Sequence, residues 1–244
     1  MKPLLRWILD SVLPPSCLLC AEPVEADGQF CLSCFNRINF ITPPFCTCCG
    51  VPFSFVQPGE VGQYCTQCLD SPPAFHAARA ALRYDKAARQ VILPLKYSDK
   101  TETILGLARL IQRAGSDIFS TATVLMPVPL YPTRLRQRRY NQAALLAKAL
   151  ARLTGLPVQL DTLRRSRATK ALEGLSAKVR HEELMDAFSL RPGAAVQGQH
   201  VVLVDDVMTT GATAHYCAVA LRGAGAARVD VVTIARVEDP RQLC

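Results

Sequence analysis

The chain has 244 residues, half of them apolar, and a formal charge of +8. That balance excludes a disordered chain and leaves room for one medium and one small domain. No apolar run is long enough to span a bilayer, which argues against an integral membrane segment and for a cytoplasmic protein.

Charge is divided along the chain. Residues 1–75 hold three Lys/Arg against six Asp/Glu, a net of −3, which leaves +11 for the remainder. The basic part suits a polyanion, either a nucleic acid or a pyrophosphate-bearing metabolite. Met1 to Leu13 reads as a short amphipathic helix, with Leu4, Leu5, Ile8, Leu9 and Val12 on one face. It has neither the long apolar core nor the cleavage site of a signal peptide.

Nine of the eleven cysteines lie between Cys17 and Cys68. They form four Cys-x-x-Cys pairs, Cys17/Cys20, Cys31/Cys34, Cys46/Cys49 and Cys65/Cys68, with Cys48 left over. Two residues between thiolates let both sulfurs reach one tetrahedral ion, and two pairs complete a four-thiolate zinc site. The spacing permits sequential pairing and interleaved pairing equally. Four-thiolate sites leave no open position, so the zinc is read as structural. Residues 1–75 are therefore read as a helix followed by a double zinc-ribbon-like module. Its aromatics, Phe45, Phe53, Phe55 and Tyr64, serve either as its small core or as stacking platforms for bases.

Ser71-Pro72-Pro73 marks a boundary, and residues 76–244 are expected to form the second domain. Ala77 to Tyr84 reads as a strand, and Ala87 to Lys96 as a helix or irregular segment. Val124 to Val128 reads as a buried strand ending in Pro127-Val128-Pro129. Arg134, Arg136, Arg138 and Arg139 then fall on what reads as a loop, where guanidinium groups suit phosphate. Asn141 caps a helix from Gln142 to Leu153, which Gly155 ends. Residues Arg164 to Asp186 carry dense charge and few large apolar side chains.

Val201-Val202-Leu203-Val204 reads as a strand buried on both faces. Asp205 and Asp206 follow at its end, then Thr209-Thr210-Gly211-Ala212-Thr213 and a helix from about Ala214 to Leu221. A strand–loop–helix unit sets this loop at the carboxyl edge of a parallel sheet, where open α/β folds bind ligands. Helix-terminal N–H groups and threonine hydroxyls suit a phosphate, and Gly211 permits close backbone approach. Carboxylates accept hydrogen bonds from vicinal sugar hydroxyls. The unit reads as a ribose-phosphate site. No Gly-Lys-Ser/Thr of a Walker loop is present, nor are the spaced glycines of a dinucleotide fold. A last strand is expected over Val229 to Ala235, with Cys217 a small core residue.

The Asp205–Thr213 segment resembles the PRPP (phosphoribosyl pyrophosphate) motif of type I phosphoribosyltransferases. With the cysteine module, Leu95-Lys96-Tyr97, Pro127-Val128-Pro129, Tyr140-Asn141-Gln142 and Gly174-Leu175-Ser176, nearly the whole chain resembles the ComF (competence protein F, or GntX-like) family. The resemblance implies an α/β fold, a mainly parallel twisted sheet flanked by helices. It implies PRPP binding with Mg2+: Asp205 and Asp206 on the ribose, Thr209, Thr210, Gly211, Ala212 and Thr213 on the 5′-phosphate, and Lys96, Arg134, Arg136 and Arg139 toward pyrophosphate. It places the flexible catalytic loop within Arg164 to Asp186. Leu172, Glu173 and Glu183 depart from the family pattern there, which puts specificity and transfer chemistry in doubt. The family's association with natural transformation and the use of external DNA implies a second role. In it the protein is a single-stranded-DNA-handling accessory, without turnover, working with competence or DNA-processing proteins.

Overall fold

The computed structural model describes residues 15–26, 28–53, 63–97, 103–167 and 184–238. Among these residues six strands are present: β1 (Ala78–Arg83), β2 (Val124–Pro127), β3 (Leu163–Arg165), β4 (Phe188–Leu190), β5 (His200–Met208) and β6 (Arg228–Arg236). Four form a parallel sheet in the order β1-β6-β5-β2, while β3 and β4 make a separate antiparallel pair. His200 to Val204 is buried throughout. The run of β-branched residues in β5 and β6 is what a strand covered on both faces requires.

The aspartates do not follow the strand. β5 continues through Asp205, Asp206 and Val207 to Met208, with Asp205, Val207 and Met208 paired in register with β6. The ladder to β6 outlasts the apolar run because backbone hydrogen bonds, not side chains, define it.

Nine helical segments occur among the described residues: α1 (Leu32–Phe35), α2 (Thr66–Asp70), α3 (Lys86–Ile92), α4 (Pro94–Tyr97), α5 (Ile104–Ala114), α6 (Ser116–Phe119), α7 (Pro132–Arg138), α8 (Gln142–Thr154) and α9 (Ala212–Gly223). Asn141 caps α8 by accepting from the Ala143 N–H at 3.0 Å, and Gly155 closes it at φ 75°. No helix among them is long and apolar enough to cross a membrane. The arginine segment is corrected from loop to helix: Pro132 stands at the start of α7, where its missing N–H costs nothing.

The two faces of the sheet carry different partners. Val202, Val204, Val232 and Ile234 pack with α3, α5 and α8. Val201, Leu203, Val229 and Val231 pack with α9 and with Phe188 of β4. The connection after β2 therefore leads to a helix on one face, and that after β5 to a helix on the other. Adjacent strands with diverging connections open a crevice at their carboxyl ends.

The cysteine module clasps this sheet from both sides. Leu18 and Ile38 of its first half join the α5 face. There Gly28 lies so close to Gly106 that a Cβ on Gly28 would stand 2.3 Å from the Gly106 Cα. Cys46, Cys48, Cys49, Val51, Cys65 and Cys68 of the second half join the α9 face. Between the halves, residues 39–41 run along β1: Ile41 N–H donates to Ala81 O at 2.9 Å, and Arg83 N–H to Asn39 O at 2.8 Å. That segment covers part of a sheet edge that would otherwise present unpaired backbone groups.

Candidate functional site

The loop after β5 turns at Gly211, whose φ of 81° lies in the left-handed region. A Cβ at this position would also meet the Met208 Cε at 2.8 Å. Gly211 O accepts from the His215 N–H at 2.8 Å, and Thr210 Oγ1 accepts from the Ala212 N–H at 3.4 Å. The first turn of α9 thus begins directly on the hydroxyl loop, and its leading N–H groups have no intrahelical partner. A small pocket of about 30 Å³ is lined by Asp205, Thr209, Thr210, Gly211, Thr213 and their neighbours. Asp206 is not among its lining residues. Successive strand residues point to opposite faces, so the two carboxylates flank the strand end. Asp205 Oδ1 also accepts from the Asp206 N–H at 2.8 Å, which fixes its orientation.

The arginines separate by helical phase. Arg134 and Arg138, one turn apart on α7, are half-buried, whereas Arg136 and Arg139 are exposed. Arg138 donates to Gln142 Oε1 at 3.4 Å. Arg139 closes α7 with φ 64°. Asn141 Nδ2 donates to Val128 O at 3.0 Å, which pins the start of α8 to the turn after β2. Tyr140 OH donates to Leu95 O at 3.1 Å, joining two of the sequence signatures. Lys96 lies in α4, and its side chain is outside the described residues.

Arg165 of β3 is a member that the sequence reading missed. Burial draws its guanidinium below the usual range, the Arg134 charge adds to this, and Cys217 and Asp205 oppose it. Its guanidinium stands 5.4 Å from the centre of the Phe188 ring. Arg134, Arg165 and Asp205 therefore share one electrostatic neighbourhood.

The cysteines resolve the pairing. Cys17, Cys20, Cys31 and Cys34 form one set and Cys46, Cys49, Cys65 and Cys68 another, each with its sulfurs within 4.8 Å of one another. Cys20 and Cys31 are 3.6 Å apart, as are Cys49 and Cys65. A tetrahedral zinc with Zn–S of about 2.3 Å sets edges of about 3.8 Å, so the sulfur cages fit zinc. The halves are structural repeats: Cys17 N–H donates to Glu22 O and Cys46 N–H to Val51 O, while Cys31 N–H and Cys65 N–H each donate to the first sulfur of their set at 3.3 Å.

A model of the double zinc ribbon domain matches residues 8–69, and one of the phosphoribosyl transferase domain matches residues 141–242. DNA utilization protein YhgH of Escherichia coli (strain K12) is 31% identical over 92% of this chain and 98% of its own length. Competence protein F of Haemophilus influenzae is 31% identical over 90% of this chain and 96% of its own. The chain belongs to the ComF family. A solved structure, that of the allosteric regulatory enzyme of purine biosynthesis, is 23% identical over 58% of this ComF-family chain and 29% of its own, with a TM-score of 0.38.

In this ComF-family protein the zinc is structural, because both cages are closed sets of four thiolates. Hydrogen bonds with Cys49, Cys65 and Cys68 hold Cys46 well below the usual thiol range, whereas the bond with Cys46 pushes Cys65 and Cys68 up. In the first set the Ser33 hydroxyl lowers Cys31 to about 6, while burial raises Cys34 to about 12. A divalent cation replaces this uneven sharing of protons by binding all four sulfurs as thiolates. Cys217 is fully buried in the core, where burial pushes its thiol well above the usual range. His215 ties α9 to the segment after the second cage: its Nδ1 accepts from the Ala74 N–H at 3.1 Å. The Gly174-Leu175-Ser176 signature and the departures at Leu172, Glu173 and Glu183 lie outside the described residues.

Proposed function

We propose that this ComF-family protein binds PRPP in the crevice at the carboxyl ends of β2 and β5. The observation that carries the reading is the shared pocket of Asp205, Thr210, Gly211 and Thr213 at the start of α9. Thr209 to Thr213 would surround the 5′-phosphate with hydroxyl and backbone donors, where the helix N-terminus favours an anion. Asp205 and Asp206 would accept from the ribose hydroxyls. Mg2+ would arrive with PRPP and neutralise pyrophosphate. Hard carboxylate oxygens suit it, with waters completing its shell.

Transfer would break the bond between ribose C1 and pyrophosphate oxygen, with the electron pair leaving on pyrophosphate and an acceptor lone pair closing on C1. Such a step depends on positioning and charge stabilisation more than on a strong base. Arg134 would meet the leaving pyrophosphate from the half-buried side of α7, and Arg136 and Arg139 from its exposed side. Arg165, electrostatically linked to Arg134 and Asp205, would add positive charge over the ribose.

Calorimetry with PRPP and Mg2+, followed by an assay of pyrophosphate release with and without single-stranded DNA, tests the reading. The variant D205N/D206N is expected to weaken binding on the order of 100-fold, the loss of charged hydrogen bonds. No binding by the unaltered protein overturns the proposal. Binding without release supports a sensor of PRPP or of a terminal 5′-phosphate.

A second reading follows from the names of the relatives and from the exposed Arg136 and Arg139. In it the cytoplasmic protein handles single-stranded DNA beside competence or DNA-processing proteins. That role predicts DNA affinity falling steeply with salt, and a shallower slope in R136Q/R139Q.

A further inference from the structure

Arg236 ends β6 and is 2% exposed. It is the bulkiest of the fully buried side chains among the described residues. Its guanidinium donates to backbone carbonyls on both sides of a seam. Nε reaches Cys49 O at 3.3 Å, which lies in the second zinc cage. One terminal nitrogen reaches Met208 O at 3.4 Å, Thr209 O, and Val237 O at 2.7 Å. Met208 and Thr209 open the hydroxyl loop. One rigid, planar cation thus joins the zinc knuckle to the proposed phosphate loop, a task to which the forked geometry of arginine is suited.

Other contacts cross the same seam. The Ala74 N–H, just beyond the second cage, donates to His215 Nδ1 of α9 at 3.1 Å, and Arg222 donates to Ala74 O at 3.3 Å. The Phe75 ring lies 3.7 Å from where a Gly211 Cβ would stand. A cavity of about 220 Å³ lies between the two parts, lined by Cys49, Gln67, Cys68, Thr210, His215 and Arg236 among others. The loop therefore has room to relax if its tether is cut. The first cage packs on the opposite face, against α5.

We infer that Arg236 is a positioning residue that makes the shape of the Met208–Thr213 loop depend on the second zinc cage and not on the first. The consequence for ligand affinity rests on the PRPP reading above. The link between cage and loop does not.

The test is hydrogen exchange, read by mass spectrometry on the zinc-loaded, full-length protein. Arg236→Met is expected to speed exchange in residues 208–213 by about 5- to 150-fold, the usual span of a coupling between sites, with β1 and β2 unchanged. Cys65→Ser should open the same residues, Cys20→Ser should leave them closed, and R236M/C65S should open them no further than either single change. Unchanged loop exchange in Arg236→Met, an equal opening in Cys20→Ser, or effects that multiply in R236M/C65S would each overturn the inference. If Arg236→Met fails to fold, Arg236→Lys decides the matter. It keeps the charge but cannot span the same carbonyls, so faster loop exchange supports the inference and normal exchange overturns it. Calorimetry with ribose 5-phosphate on the same samples separates the two readings. An unaltered protein that ignores this ligand defeats the PRPP reading, while the exchange data still decide the role of Arg236.

Discussion

Gly211 concentrates two constraints in one residue. Its φ is left-handed, and the space a side chain would fill is taken by Met208. Gly211→Ala is expected to lower stability by about 1–2 kcal/mol in urea denaturation, combining backbone strain with displacement of Met208. Weaker binding of ribose 5-phosphate should accompany it. What was legible in the sequence for this glycine was a different task, close approach of the backbone to an anion; its left-handed turn and its contact with Met208 come from the fold. Arg165 was not legible. A single arginine in a charged stretch reads as solvated, and only the pairing of β3 with β4 brings it beside Phe188 and the charge of Asp205.

Helix α8 depends on a residue that serves two elements at once. The Asn141 side chain caps α8 through Ala143 and donates to Val128 O on the turn after β2. Asn141→Ala is expected to cost about 1 kcal/mol for the cap alone. It should cost more than Asn141→Ser, which keeps a capping oxygen, when both are compared by their denaturation midpoints. The extent of α8 was readable from Asn141 and Gly155. The nature of α7 was not, since Tyr131-Pro132-Thr133 carries the marks of a turn, and proline opens helices as readily as it breaks them. β5 ran past its apolar segment for a related reason. Side-chain pattern reports burial, and the residues at the crevice are paired through their backbone but only partly covered.

Over the whole molecule, the cysteine spacing revealed the ligands and left their pairing open. It was silent on where the cages would pack. Spacing records which sulfurs can meet at an ion, whereas packing depends on surfaces remote in sequence. The second cage lies in the same buried cluster as Leu203 and Val231 of the central strands. Removing zinc with a chelator should therefore lower the thermal midpoint by more than about 10 °C, with a single transition followed by circular dichroism. An early, separate melting of the module with the sheet unaffected would contradict this shared core.

The order of the sheet has a consequence for how the protein is made. Among the described residues β6 is the last strand in sequence, yet it lies between β1 and β5. As the chain leaves the ribosome, β1 and β5 emerge with no partner between them. The cysteine knuckles are exposed long before, able to take up metal while the strands they will clasp are still untranslated. A stop codon just before Arg228 would remove the middle of the sheet rather than its rim, cutting β1 off from the β5–β2 pair. The sheet cannot close before β6 is made, and the long sequence separation of β1 from β6 predicts slow folding.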